Sequence, residues 1–64
     1  MMKYVIITPE GNYFKRITAL GYVEFTATVV YAAHFENRLD VVAMVNMLWD
    51  LSIEATPILV NVDI

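Results

Sequence analysis

The 64-residue sequence has no cysteine and a single histidine, His34, so two common ways of stabilising a small domain are missing. Without cysteine there is no disulfide and no thiolate zinc site, and with one histidine a histidine-based metal site would need several subunits. A domain of this size buries only about 60% of the surface that its unfolded chain exposes. Oligomerisation is the remaining source of stability, so we expect a single domain, residues 1–64, that forms a homodimer or a higher oligomer.

Long hydrophobic runs are also absent. A membrane-spanning helix needs about 20 apolar residues, and the sequence has no such run. It also lacks the basic stretch followed by an apolar core that marks a signal peptide, so we expect a cytoplasmic protein with no membrane partner. Charge is scarce as well: the formal net charge is −3, from seven acidic and four basic residues. This balance argues against direct binding to nucleic acid.

Apolar residues, by contrast, are abundant. They make up 59% of the chain, against roughly 45–50% in ordinary domains. A domain this small has too little interior to bury them all. We therefore expect much of the apolar surface to lie between subunits or against a partner.

The order of apolar and turn residues predicts an α+β fold. A hairpin closes at residues 9–12 (PEGN), and clear strand patterns occupy residues 3–8, 13–18, 22–25 and 58–64. The main helix is predicted at residues 37–51, with Asn37 as its N-cap and Asp40 in its first turn. Residues 27–35 fit either a strand or a short helix capped by Thr26 or Thr28; we favour the helix.

These elements predict a small three- to four-stranded sheet packed against one main helix. The C-terminal strand should lie beside the first strand and parallel to it, through a right-handed crossover. Alternation predicts that Ile58, Val60, Val62 and Ile64 point inward. The sheet face away from the helix should lack cover within the chain, and its residues would include Val5, Ile7, Tyr13 or Phe14.

The main helix carries more apolar residues than one buried face requires. At about 100° per residue, one face that covers the sheet is formed by Val41, Met44, Val45, Leu48 and Leu51. Val42 and Trp49 point elsewhere, on the side of Arg38, and Ala43 and Met47 lie on a further side. Because Trp and Arg are enriched at binding hot spots, the candidate surface for a protein or for self-association comprises Val42, Trp49, Arg38 and Met47.

The pattern of elements resembles that of small phage-encoded accessory proteins. It runs from a hairpin to Phe25-Thr26, then to Ala32 and Phe35, then to the helix from Asn37 and the final PILVNVDI. The chain departs from the usual pattern in its more apolar helix and in having Ala27-Thr28-Val29-Val30 where acidic residues commonly precede the alanine. The resemblance implies a protein that binds and blocks a host factor or an antiviral defence protein.

Catalytic residues are missing from the sequence. His34 is the one side chain with an ordinary pKa near neutrality, but there is no cysteine and only one serine, Ser52, so no triad can be assembled. We therefore expect no enzyme activity, no cofactor and no metal site. Lys15 and Arg16, with Tyr13 and His34 nearby, could instead hold a small nucleotide by ion pairing and stacking.

Three hypotheses for function follow. The first is a non-enzymatic binding protein, of the phage accessory type, that blocks a host or defence protein as a homo-oligomer. The second is a protein that sequesters a small nucleotide between subunits, through Tyr13, Lys15, Arg16 and His34. The third is a structural or assembly protein.

Overall fold

A computed structural model of the chain describes residues 1–62 and has an α+β fold, in which a four-stranded antiparallel sheet packs against one helix. The strands lie in the order β3-β2-β1-β4, so the predicted fold class and the place of the last strand beside the first are confirmed. Asp63 and Ile64, predicted to end the last strand, lie outside the described residues. The elements are β1 (Met2–Ile7), β2 (Tyr13–Ile17), β3 (Val23–Thr26), a 3₁₀ turn (Val29–Tyr31), α1 (Arg38–Asp50) and β4 (Thr56–Asn61).

The short helix predicted before α1 is wrong in most of its length. One 3₁₀ turn forms, and Thr28 caps it without a side-chain hydrogen bond. The chain then becomes extended: the Tyr4 and Phe35 backbones exchange two hydrogen bonds of 2.9 Å, and the Ala33 N–H donates to the Phe14 carbonyl at 2.9 Å. Residues 33–35 therefore lie between β1 and β2, which pair directly at Ile7 and Tyr13. Branched Val29 and Val30 are stiff and disfavour a longer helix.

This extended segment also explains why β4 is antiparallel to β1, rather than parallel as predicted. Pairing runs from Met2 with Asn61 to Ile7 with Thr56. Since Phe35 pairs antiparallel with Tyr4, residues 33–35 carry the chain back along β1 before α1 begins. The extra reversal changes the direction in which α1 and β4 follow.

Two turns of one kind connect the first three strands. In each, the glycine N–H donates to the carbonyl of a threonine three residues earlier, at 2.9 Å, and the next residue's N–H contacts the threonine hydroxyl. Gly11 and Gly21 have φ values of 88° and 86°, a conformation that glycine adopts without strain. The pattern Thr-x-x-Gly at Thr8 and Thr18 therefore specifies both turns.

A bulge in β2 corrects the predicted position of Phe14. Phe14 pairs with Phe25 and Arg16 pairs with Glu24, so Lys15 is an extra residue in the ladder. An extra residue shifts the alternation of side chains, and Phe14 and Ile17, three residues apart, can both contact the core. Phe14 is 2% exposed and does not belong to an uncovered sheet face.

The helix begins and ends with well-defined caps. The predicted N-cap is confirmed, because the Asn37 side chain accepts the Asp40 N–H at 2.9 Å. At the other end, the Ile53 N–H donates to Leu48 and the Ser52 N–H to Trp49, both at 2.9 Å, which is a Schellman motif. Ser52 takes the left-handed conformation there, with φ 64°.

The core lies between α1 and one face of the sheet. It contains Ile6, Phe14, Val41, Val45, Leu48 and Ala55. Four of the five predicted core-facing helix residues contact it, but Leu51 is 53% exposed because it follows the last helical residue as the C-cap.

The face away from the helix is better covered than predicted. Val5 is 0% exposed within the single chain, and Ile7 is half-buried. Pairing places Ile58 opposite Val5. Because directly paired residues share a face, Ile58 and Val60 lie on this side of the sheet, away from α1. The predicted alternation along β4 is confirmed, since Ile58 and Val60 are half-buried and Val62 is buried, whereas Leu59 and Asn61 are exposed. On the same face, Lys3, two residues before Val5, forms an ion pair with Glu36. No helix within residues 1–62 is long and apolar enough to cross a membrane.

Candidate functional site

The side of α1 that faces away from the sheet carries a continuous apolar row. Its members are spaced four residues apart, three within the helix and one at its C-cap, and residues four apart are neighbours on a helix surface. The exposed fractions are 84% for Leu39, 38% for Met47 and 53% for Leu51, and Ala43 between them is also exposed. We call these four residues the outer row. It is separate from the buried side, where Val41, Val45 and Leu48 contact the core.

Acidic and amide side chains border the outer row. Asp40 and Asp50 lie near its two ends, and Asn46 lies beside its middle; all three are exposed. Arg38, at the first position of α1, is the one basic residue of the helix. The row is therefore an apolar surface with an acidic border, in a chain whose net charge is −3.

The four residues predicted to form the protein-binding surface fall on two sides of α1. Arg38, Val42 and Trp49 share one side, whereas Met47 belongs to the outer row. Val42 is half-buried against the core. Trp49 is 52% exposed, and its indole N–H donates to the Ala55 carbonyl at 2.9 Å, which fixes the ring against the connection between α1 and β4. Sequence periodicity identified the surplus of apolar residues, but it did not single out Leu39 and Leu51.

The predicted nucleotide-binding residues are distributed around β2 and residues 33–35. Tyr13 and Arg16 share the sheet face away from the helix, because their partners on β3 are Thr26 and Glu24. Arg16 forms an ion pair with Glu24. Lys15 occupies the bulge beside them.

His34 makes a local structural contact. Its Nε2 lies 3.0 Å from the Val29 carbonyl, so the ring ties the 3₁₀ turn to the extended segment. Next to it, Lys3 forms an ion pair with Glu36, and the hydrogen bond from Lys3 lowers the pKa of the Glu36 carboxyl, with a further contribution from the positive charge of Lys3. Within residues 1–62 no cluster of three metal-binding side chains occurs.

An open cleft of about 370 Å³ lies at the end of the sheet that holds the first turn. Glu10 and Glu54 provide two carboxylates, and Phe25 and Ile53 provide apolar surface. None of the predicted nucleotide-binding residues lines it. Carboxylates repel phosphate, so this cleft is unsuited to the predicted nucleotide. The remaining lining residues are Thr8, Pro9, Asn12 and Ser52.

Comparisons with protein-family models, with curated proteins and with solved structures gave no match to this chain.

Proposed function

We propose that the chain is a small non-enzymatic binding protein that works in the cytoplasm as a homo-oligomer and binds another protein through the outer row of α1. The phage-type role implied by the sequence pattern, blocking a host or antiviral defence protein, is the form of this function that we propose.

The outer row is the observation that supports this proposal. A helix that packs on a sheet needs one apolar stripe, and α1 has that stripe in Val41, Val45 and Leu48. The second stripe, the outer row, extends over the whole length of the helix and is exposed. Exposed apolar rows of this kind are typical of helices that bind in a groove, where residues one turn apart act as anchors.

The border of the outer row indicates the chemistry of the partner. If two α1 helices met through their outer rows, the aspartates of one copy, Asp40 and Asp50, would repel those of the other. Arg38 is the one basic residue on α1 that could offset this repulsion. A foreign protein with an apolar groove and basic residues on its rim complements this surface in both shape and charge. The small side chain of Ala43, between Leu39 and Met47, allows the wall of such a groove to approach closely.

The test compares two leucines of equal exposure. Leu39, in the outer row, and Leu20, in the turn between β2 and β3, are both 84% exposed. The wild-type protein, Leu39→Glu and Leu20→Glu are immobilised and used to capture proteins from host lysate. A partner identified by mass spectrometry is then purified, and its affinity for each of the three proteins is measured by titration calorimetry.

We expect the partner to bind wild type and Leu20→Glu alike, and to bind Leu39→Glu at least tenfold more weakly. Equal binding to all three would exclude the outer row as the binding surface. If the purified protein showed excess absorbance at 260 nm, and heating released the ligand that absorbs there, nucleotide sequestration would be favoured instead.

A further inference from the structure

The two edges of the sheet differ in how well they are protected. β3 forms one edge; it has only four residues and carries the charged Glu24. β4 forms the other edge, over six residues that include no charge. Short length and charge are the usual features that keep an edge strand from pairing with another chain. By both criteria the β3 edge is protected and the β4 edge is open.

The direction of the free backbone groups on β4 can be read from its neighbours. The Val62 N–H donates to the Met1 carbonyl at 2.8 Å, and so points towards β1. Tyr4, which is paired with Leu59, directs its own N–H and carbonyl to Phe35, away from β4. Both observations place the backbone groups of Leu59 and Asn61 on the outer side, since successive residues of a strand alternate. Pro57 lies two residues before Leu59, so its backbone also faces outward. Proline is tolerated there because the N–H that it lacks would have had no partner on β1.

These outward groups have no partner within residues 1–62. A second β4 strand, related by a two-fold axis beside Val60, supplies partners for those of Leu59 and Asn61. Leu59 then lies opposite Asn61 of the other copy, and each of these pairs exchanges two hydrogen bonds. An axis beside Leu59 would instead put Asn61 opposite Pro57, which has no N–H to donate.

The side chains of β4 fit the same arrangement. Leu59 is 51% exposed on the helix side of the sheet, and the half-buried Ile58 and Val60 lie on the other side. No side chain from Thr56 to Asn61 is charged, so none of them repels its counterpart in a second copy. In this the edge differs from the outer row, whose acidic border disfavours a second copy. The N-terminal ammonium of Met1 is a charge in contact with β4, and it donates to Asn61 Oδ1 at 2.9 Å.

We propose that two copies of this chain associate edge to edge through β4, antiparallel about a two-fold axis beside Val60, to form a continuous eight-stranded sheet. This inference specifies the contact of the proposed homo-oligomer and rests on that part of the proposed function, whereas binding of a partner through the outer row is independent of it. Pairing through one edge strand buries less surface than the 1,200–2,000 Å² of a standard protein–protein interface. The dimer should therefore dissociate on dilution.

The first experiment uses the unmodified protein. Light scattering after size exclusion, over a series of concentrations, should show the mass rising from 7.3 kDa towards twice that value. Amide hydrogen exchange is measured by NMR at both ends of the series. The amide hydrogens of Leu59 and Asn61 should exchange at least tenfold more slowly in the dimer. The exchange rates of Ile58 and Val60, whose amides already bond to β1, should change little.

The second experiment uses single cysteines, which are unambiguous because the chain has none of its own. In a two-fold pair beside Val60, the two Cα atoms are about 4.5 Å apart, which falls within the range that a disulfide spans. Oxidised Val60→Cys should therefore run as a dimer on a non-reducing gel. Leu20→Cys, on an exposed turn at the far side of the sheet, is the control and should stay mostly monomeric.

A matched pair of charge variants separates the two surfaces. Leu59→Lys should weaken the dimer at least tenfold, and Leu39→Lys should leave it intact. A dimer that forms without protection of Leu59 and Asn61, or that is lost in Leu39→Lys alone, would overturn the β4 contact and leave the homo-oligomer standing. A monomer at every concentration would overturn both, and the outer row would still be testable through its partner.

Discussion

Replacing Ser52 with glycine should stabilise the fold. Among residues 1–62, Ser52 is the one non-glycine residue with a positive φ, 64°, which the Schellman motif at the end of α1 imposes. This conformation costs a residue with a Cβ atom about 1–2 kcal/mol. Glycine avoids that cost but loses more backbone freedom on folding, about 0.5–1 kcal/mol. The net gain in unfolding free energy therefore lies between about 0 and about 1.5 kcal/mol, and its midpoint of about 0.75 kcal/mol corresponds to a rise in Tm of about 3–6 °C.

Urea and thermal unfolding, followed by circular dichroism at one fixed protein concentration, would measure this gain. Ser52→Ala is the control: it keeps the Cβ atom and so the strain, and the lost hydroxyl makes no hydrogen bond within residues 1–62. We expect Ser52→Ala to match the wild type. If Ser52→Gly were no more stable than Ser52→Ala, strain at the helix end would not limit stability, and the reasoning would be wrong.

Three further predictions concern the ends of α1, the core and acid stability. Asn37→Ala should lower the unfolding free energy by about 1 kcal/mol because the Asp40 N–H loses its acceptor; Asn37→Ser, which keeps an acceptor, should show a smaller loss in the same urea titration. Leu48→Ala should cost about 2–5 kcal/mol, a large part of the total for a chain of this length, whereas Leu39→Ala should stay within about 0.5 kcal/mol because Leu39 is exposed. Glu36→Gln should remove the stabilisation from the ion pair with Lys3. This pair lowers the Glu36 pKa in the folded state, so its contribution to stability is fully present above the ordinary pKa of 4.5. The contribution is lost as the pH falls through the lowered pKa. The urea midpoints of Glu36→Gln and wild type should therefore converge in acid.

Local sequence signals were sufficient for the parts of the fold that depend on local chemistry. Asn37 could be recognised as an N-cap because its side chain and the backbone it caps lie within one turn. The first hairpin could be recognised because Gly11 occupies a position that requires a positive φ. The sequence also predicts the second tight connection, at residues 19–21, and the structure confirms it with the same Thr-x-x-Gly pattern at Thr18 and Gly21.

The errors arose where a distant segment decides the local structure. Nothing in the sequence of residues 33–35 shows that its backbone will pair with two distant residues. Phe14 accepts one hydrogen bond from this segment, and Tyr4 both accepts one and donates one. Once those bonds form, the segment is extended, and the direction of β4 follows from it. The bulge at Lys15 is of the same kind, because it is defined by pairing with β3 and not by the residues of β2 alone.

The structure shows where part of the surplus of apolar residues lies. Many exposed large apolar side chains, among them Leu20 and Tyr31, lie outside both candidate surfaces, and single ones of this kind are common on proteins. Leu39, Met47 and Leu51, however, form one row on α1, and Leu59 lies on an edge strand that is free to pair. Aspartates border the row, whereas no side chain of β4 is charged. Because charge decides which surfaces can meet a copy of themselves, these two surfaces suit different occupants: a foreign protein for the row and a second copy for the edge.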